Sequence, residues 1–308
     1  MSDAAAPTIA VAVCTRGRRR ECLACLDSVH AQTRPPSEVI VVEAAEDDAL
    51  LGAIRDRWPA GRATRLIYAR VPGGGLTRQR NVAVGHLASD VILFVDDDAT
   101  LDADCLEHLA EPYREDADRR LGGAQAAILE RENRPAGSAL FRRVFLLSRD
   151  APTRPAVLQA SGWPRYCSVP EGRMPAEVIR GTAMSYRREV FDTERFDESF
   201  PAYALGEDCE FSYRVSRRWR LVVEPAARAH HSPSPASRLG SRAYHRMSVV
   251  HTWQLFRRYR RSAWRWPAYL WSRVGSSLLA VRHAAQVGSL DPLRGELDGY
   301  RAILRGRP

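Results

Sequence analysis

Apolar runs of five to seven residues recur along the first hundred positions, separated by segments of helical period. Thr8–Cys14 (TIAVAVC), Glu38–Val42 (EVIVV), Arg65–Ala69 (RLIYA) and Val91–Val95 (VILFV) read as strands. Thr15-Arg16-Gly17 breaks the first run. The helix that follows, Arg20–Ala31, carries Leu23, Leu26 and Val29 on one face and stops at Pro35-Pro36. Ala49–Trp58 and a stretch from about Thr77 to Ala88 read as two more helices, the second preceded by Gly73-Gly74-Gly75. Strands that alternate with helices, and are apolar throughout, predict a mostly parallel sheet covered on both faces, an α/β layer fold.

The pattern loosens in the middle third. Gly122–Leu129 and Val178–Tyr186 are further strand candidates, with long loops and some helix expected over Arg131–Pro175. Glu207–Arg217 reads as a helix, Arg220–Val223 as a last short strand, and Pro225–Pro235 as a loop. Beyond Ser237 the period is helical to the end. The expected division is a catalytic-type domain over 7–235 and a helical extension over 236–308.

Charge sharpens this division. All 46 basic residues of the 308 are Arg. From Arg228 onward 15 Arg face three acids, whereas 1–227 holds 31 Arg against 34 acids. A near-neutral body therefore carries a basic tail, which suits an anionic surface. The absence of Lys excludes Schiff-base and Lys-nucleophile chemistry. Trp266–Ser272 and Val274–Val281 are uncharged, but far short of the ~20 apolar residues of a membrane span. Met1–Pro7 has neither a basic start nor an apolar run, so no secretory signal is expected and a cytoplasmic place is. Cys22 and Cys25 share C-x2-C spacing on a helix without a second pair, and read as buried small side chains.

Four clusters carry candidate chemistry. Asp96-Asp97-Asp98 ends a buried strand, where open α/β sheets bind ligands, and three adjacent carboxylates call for a cation. A divalent ion bridging to phosphate answers that need. Gly206-Glu207-Asp208 opens a helix; it either compensates the helix dipole or supplies a general base. His230-His231 lies beyond a strand, where adjacent side chains point to opposite faces, so at most one enters a common site. Gly73-Gly74-Gly75 with Arg78-Gln79-Arg80-Asn81 places a flexible turn before a helix start, where anions are favoured.

Together these segments, with GGGLTRQRN at 73–81, ILFVDDDA at 92–99, RGTAMSYRREVF at 180–191, FDESF at 196–200, GEDCEFSYR at 206–214 and PAARAHH at 225–231, resemble the inverting family 2 glycosyltransferases over about residues 7–235. The resemblance implies a GT-A fold and a nucleotide-diphosphate sugar donor (UDP, dTDP or GDP sugar), with Mg²⁺ or Mn²⁺ as cofactor. The acceptor is a glycan, a lipid-linked molecule or a small molecule, and no nucleic acid is involved. It further implies that Thr15, Arg16 and Glu43 meet the nucleotide. Arg80 and Asn81 line its pocket, Asp96 meets the ribose with Asp97 beside it, and Asp98 with His231 holds the metal. Asp208 is then the catalytic base. Ala44-Ala45-Glu46 replaces the family's small polar run next to Glu43, so no particular base is implied.

Two other readings fit parts of the chain. DDDATL at 96–101 also matches haloacid-dehalogenase-type phosphatases, with Asp96 as nucleophile and Asp98 as acid/base, although that family opens with the motif. A non-enzymatic protein binding sugar or nucleic acid through its basic tail is the other. In that tail Trp271, Val274, Leu278 and Val281 recur at helical spacing. This stripe either packs on the domain or meets an anionic inner membrane face.

Overall fold

The computed structural model describes residues 6–46, 49–58, 63–130, 138–200, 205–233, 239–259 and 262–306. The chain forms two compact units: Met1–Arg131, Pro152–Pro155 and Cys167–Ala236 make one, and Glu132–Ala151, Ala156–Tyr166 and Ser237–Pro308 the other. The helical unit therefore draws on two segments from the middle of the chain as well as the C-terminal quarter.

The first unit opens with β1 (Ile9–Thr15), α1 (Arg19–His30), β2 (Glu38–Glu43), α2 (Ala49–Arg57), β3 (Arg65–Arg70), α3 (Leu76–Gly85) and β4 (Val91–Asp96). A two-residue turn, Asp97-Asp98, leads into β5 (Ala99–Leu101), then α4 (Cys105–Arg114) and β6 (Leu121–Glu130). In the helical unit follow α5 (Ser138–Val144), β7 (Arg149–Asp150), β8 (Val157–Leu158) and β9 (Pro164–Tyr166). The chain returns with β10 (Met174–Ala176), β11 (Ala183–Arg187), α6 (Glu207–Val215) and β12 (Arg220–His231), and closes with α7 (Ser241–Tyr259), α8 (Arg265–Val287) and α9 (Asp291–Leu304).

The main sheet runs β10-β12-β6-β11-β4-β1-β2-β3, with β5 on β12; β7, β9 and β8 form a small second sheet. Strands β3, β2, β1 and β4 are parallel, β11 is antiparallel to β4 and β6, and β12 is parallel to β6. The apolar runs have a direct cause. Ile9, Val11 and Val13 enter a core under α1, α2 and α4, while Ala10 and Ala12 enter the core on the other face, under α3 and α6. In β4, Val91, Leu93 and Val95 take the first side, and Ile92 and Phe94 the second. Both faces are dry, so no position on these strands is free to be polar until their carboxyl ends.

The structure corrects one expected boundary. The segment read as a loop from Pro225 continues β12 to His231; positions 234–235 of that segment, and 131–137 of the expected middle loops, lie outside the described residues. The misreading has a physical source. Between Glu224 and Arg228, four steps along β12 match one step along β6, a bulge at Pro225-Ala226-Ala227. Proline is tolerated in a sheet at such a bulge.

Candidate active site

The carboxyl ends of β1, β4, β6 and β12 gather the charged residues. Adjacent strands end together, so Cys14 pairs with Asp96 and His231 with Glu130. Asp96, Asp98 and His231 each offer a ligand atom within 4.8 Å of the others. His231 points its Nε2 at Asp98 Oδ1 (3.3 Å) and its Nδ1 at Glu130 Oε1 (2.7 Å). His230, on the opposite face of the strand, turns to Asp102 at 2.8 Å.

The turn after β1 holds the acid cluster from the other side. Thr15 donates its hydroxyl to Asp97 (2.6 Å), and Arg18 bridges Asp97 (2.7 Å) and Asp98 (3.0 Å). Asp97 is therefore buried in the turn, not displayed on the surface. Burial outweighs the Thr15 and Arg18 contacts and pushes Asp97 up to about 6. Burial, aided by the like charges of Asp98 and Asp208, also holds Asp96 above the usual carboxylate range against the pull of Arg80. Burial alone would lower His231, but its contacts with Asp98 and Glu130 raise it to about 10.

Beneath this cluster lies a buried ion-pair core. Arg80, 2 % exposed, pairs with Glu207 at 2.6 Å, lies 3.6 Å from Asp96, and packs over the rings of Phe94 and Phe196. Burial and the neighbouring Asp208 push Glu207 up to about 8, with Arg80 opposing. Gln79 reaches under the strand ends and donates to Thr15 O (2.8 Å) and Val42 O (2.7 Å).

Asp208 stands in the first turn of α6, behind a left-handed Gly206 (φ 88°) that glycine adopts without strain. Its two carboxylate oxygens accept the N–H groups of Gly181 (2.9 Å) and Cys209 (2.7 Å). A Cβ on Gly181 would come within 2.9 Å of the Arg80 guanidinium and 3.3 Å of Asp208 Cβ, so only glycine brings the backbone this close. The side chain is partly open, unlike its buried neighbour Glu207.

The remaining residues singled out from sequence have other settings. Glu43 is buried at the end of β2 and accepts the N–H groups of Gly17 (3.2 Å) and Ala45 (2.8 Å), fixing the loops after β1 and β2. Arg16 is exposed in the turn after β1. Asn81 pairs with the backbone of Phe196 in both directions (2.9 and 3.0 Å) and so ties α3 to the FDESF segment. Sequence reasoning missed three participants: Arg18, Glu130 and Arg180, whose guanidinium lies 3.4 Å from Glu130. Glu130 had a usable signal, since it ends an apolar strand just as Asp96 does.

Comparison with known proteins gives the class. Residues 10–159 match the family model "Glycosyl transferase family 2". Among solved structures, GalNAc-T7 with UDP, GalNAc and Mn²⁺ has a TM-score of 0.58 at 15 % identity, covering 80 % of this chain and 48 % of that one. The chain thus spans about half the length of that relative. The mannosyltransferase PcManGT from Pyrobaculum calidifontis, with GDP-Man and Mn²⁺, has a TM-score of 0.59 at 16 % identity, covering 98 % and 88 %. S. aureus TarS 1-349 in complex with UDP has a TM-score of 0.50 at 16 % identity, covering 97 % and 92 %. No match is found among the curated proteins. The fold is GT-A, shared with these glycosyltransferases. The family 2 match covers just under half of the chain and, with the shared fold, supports a glycosyltransferase reading over the phosphatase and binding-protein ones.

Proposed function

We propose that this enzyme moves a sugar from a nucleotide-diphosphate donor (a UDP, dTDP or GDP sugar) to an acceptor hydroxyl with inversion, assisted by a divalent cation. The observation that carries the reading is the convergence of Asp96, Asp98 and His231 at the strand ends. Two carboxylates and an imidazole suit Mn²⁺ or Mg²⁺. The structures of GalNAc-T7 and PcManGT, which share the fold, hold Mn²⁺. When bound, such an ion neutralises the charge that builds on the departing diphosphate. Ligation by His231 requires the neutral imidazole and so releases its proton.

The chain's own residues supply the rest. Glu130 fixes His231 through Nδ1 and leaves Nε2 directed at Asp98. Thr15, Arg18 and Glu43 hold the loop that meets the nucleotide. Asp208 takes the proton of the acceptor hydroxyl as that oxygen bonds the anomeric carbon, while the bond from that carbon to the diphosphate oxygen breaks. A single displacement inverts the configuration and needs no covalent sugar–enzyme intermediate. Acceptors of the glycan, lipid-linked and small-molecule classes all offer the required hydroxyl.

Calorimetric titration with UDP, dTDP and GDP sugars, in Mn²⁺ and in chelator, tests this. Wild type is expected to bind one donor class only with metal, and Asp98→Ala to lose that binding while melting as a folded protein. Equal donor affinity in wild type and variant, or equal affinity in chelator, overturns the metal assignment.

A further inference from the structure

The outward side of α8 inverts the usual order of a surface helix. Trp264, Leu270, Trp271, Val274, Leu278 and Val281 are 66, 57, 46, 49, 48 and 53 % exposed. At about 100° per residue they fall in one arc, and the charged residue within that arc is Arg282. Helix α5 extends the patch. Trp271 stacks on Phe145 at 4.7 Å and donates its indole N–H to Val144 O at 2.8 Å, and Leu140 and Val144 are 64 and 50 % exposed.

The helix cannot simply roll to hide this face, because its other side is committed. Ser272, Arg273, Ser276 and Ala280 are buried there, and on the flank next to Trp271 a Cβ on Gly275 would meet Phe145 at 2.3 Å. Ser276 and Ser277 donate to the buried Glu296 of α9 at 3.0 and 2.7 Å. Apart from Tyr269, the inward residues are small or polar, and the other large apolar residues of the arc stand outward. A helix on a water-facing surface shows the opposite order, and a contiguous exposed apolar patch marks an interaction surface.

Charge identifies the occupant. From Arg228 to Leu290 the sequence holds eleven Arg and no acid, and Arg143 and Arg282 stand exposed beside the apolar arc. A second copy docking here would set like charges against one another. A bilayer with anionic headgroups offers counter-charge directly above an apolar layer, and tryptophan prefers that boundary. We propose that α8, with α5 beside it, lies in the surface of an anionic membrane as an interfacial helix. Among the described residues no helix is long and apolar enough to cross. The arc from Trp264 to Val281 is roughly 25 Å long and lies in the membrane plane. This surface is independent of the donor and metal assignments above.

Co-sedimentation of the full-length protein with phosphatidylcholine vesicles, with and without phosphatidylglycerol, decides it. Wild type is expected to bind the anionic vesicles and to release in high salt. Val274→Glu/Leu278→Glu, both exposed positions, is expected to weaken binding by more than about tenfold while keeping the wild-type circular dichroism and melting point. Arg143→Glu/Arg282→Glu is expected to weaken it by at least about fivefold per site. Wild type that stays in the supernatant with anionic vesicles overturns the proposal, as does an apolar-site variant that sediments like wild type. Wild type that ignores lipid but forms a dimer lost in the variant also overturns it and assigns the face to a second copy.

Discussion

Glu207 and Asp208 are neighbours in sequence with different surroundings. Glu207 is buried against Arg80, whereas Asp208 is partly open and steadied by two backbone N–H groups. Substitutions at the two positions should separate accordingly. Asp208→Asn is expected to lower the transfer rate by ~10²–10⁴ while donor affinity stays within a few-fold, read by turnover and by calorimetry on the same preparation. Glu207→Ala, by contrast, leaves the buried Arg80 guanidinium with only its longer contact to Asp96 and should cost up to ~3–5 kcal/mol in denaturant melts. A transfer rate for Asp208→Asn close to wild type would reduce that residue to a helix-dipole role. That Asp98 and His231 meet was legible because a strand end and the alternation of side chains leave little choice of direction. Arg18 was not, since nothing in TRGRRR distinguishes the Arg that turns inward from those that stay in water.

Legibility at the scale of elements followed dryness. Strands β2, β1 and β4 lie close to where their apolar runs place them, because a strand buried on both faces leaves an unbroken signature, and the half-buried edge strand β3 keeps enough of it to be read. β12 did not, because Pro225 interrupts the pattern at the bulge. That bulge separates the strand into two ladders with independent registers. Arg220–Glu224 pairs deep in the sheet, while Arg228–His231 is set by β6 and β5. Deleting Ala226 should therefore shorten the bulge without turning His231 from Asp98. Inserting one Ala between Ala229 and His230 should turn it away, since a one-residue slip exchanges faces. Metal-dependent donor binding, retained in the first variant and lost in the second, is the expected result, and loss in both would show that the two ladders share one register.

At the scale of the whole molecule, the helical unit is assembled from distant parts. Phe145 stacks on Trp271, Gly162 packs within 3.1 Å (taken to an added Cβ) of Phe256, and Arg273 lies over Trp163 at 5.2 Å. A boundary near 236 follows the change in composition, which is what the sequence displays. The long-range pairing of 138–151 and 156–166 with α7 and α8 is not written in any local pattern. Truncation after 236 should therefore yield a chain that expresses poorly or aggregates, with Phe145 and Trp163 stripped of their partners. A truncated protein that stays monomeric and binds donor like the full chain would contradict this.

The same arrangement imposes an order in time. A chain leaves the ribosome from its first residue at ~5–20 residues per second. The strands β1 to β4 emerge early, but Phe145 and Trp163 emerge before the helices that cover them. The start of α8 lies 120 residues beyond Phe145, so for several seconds a newborn chain carries an aromatic surface awaiting its lid. During that interval the exposed aromatics are a surface that a chaperone can cover, and yield is expected to fall when translation of the last quarter is slowed.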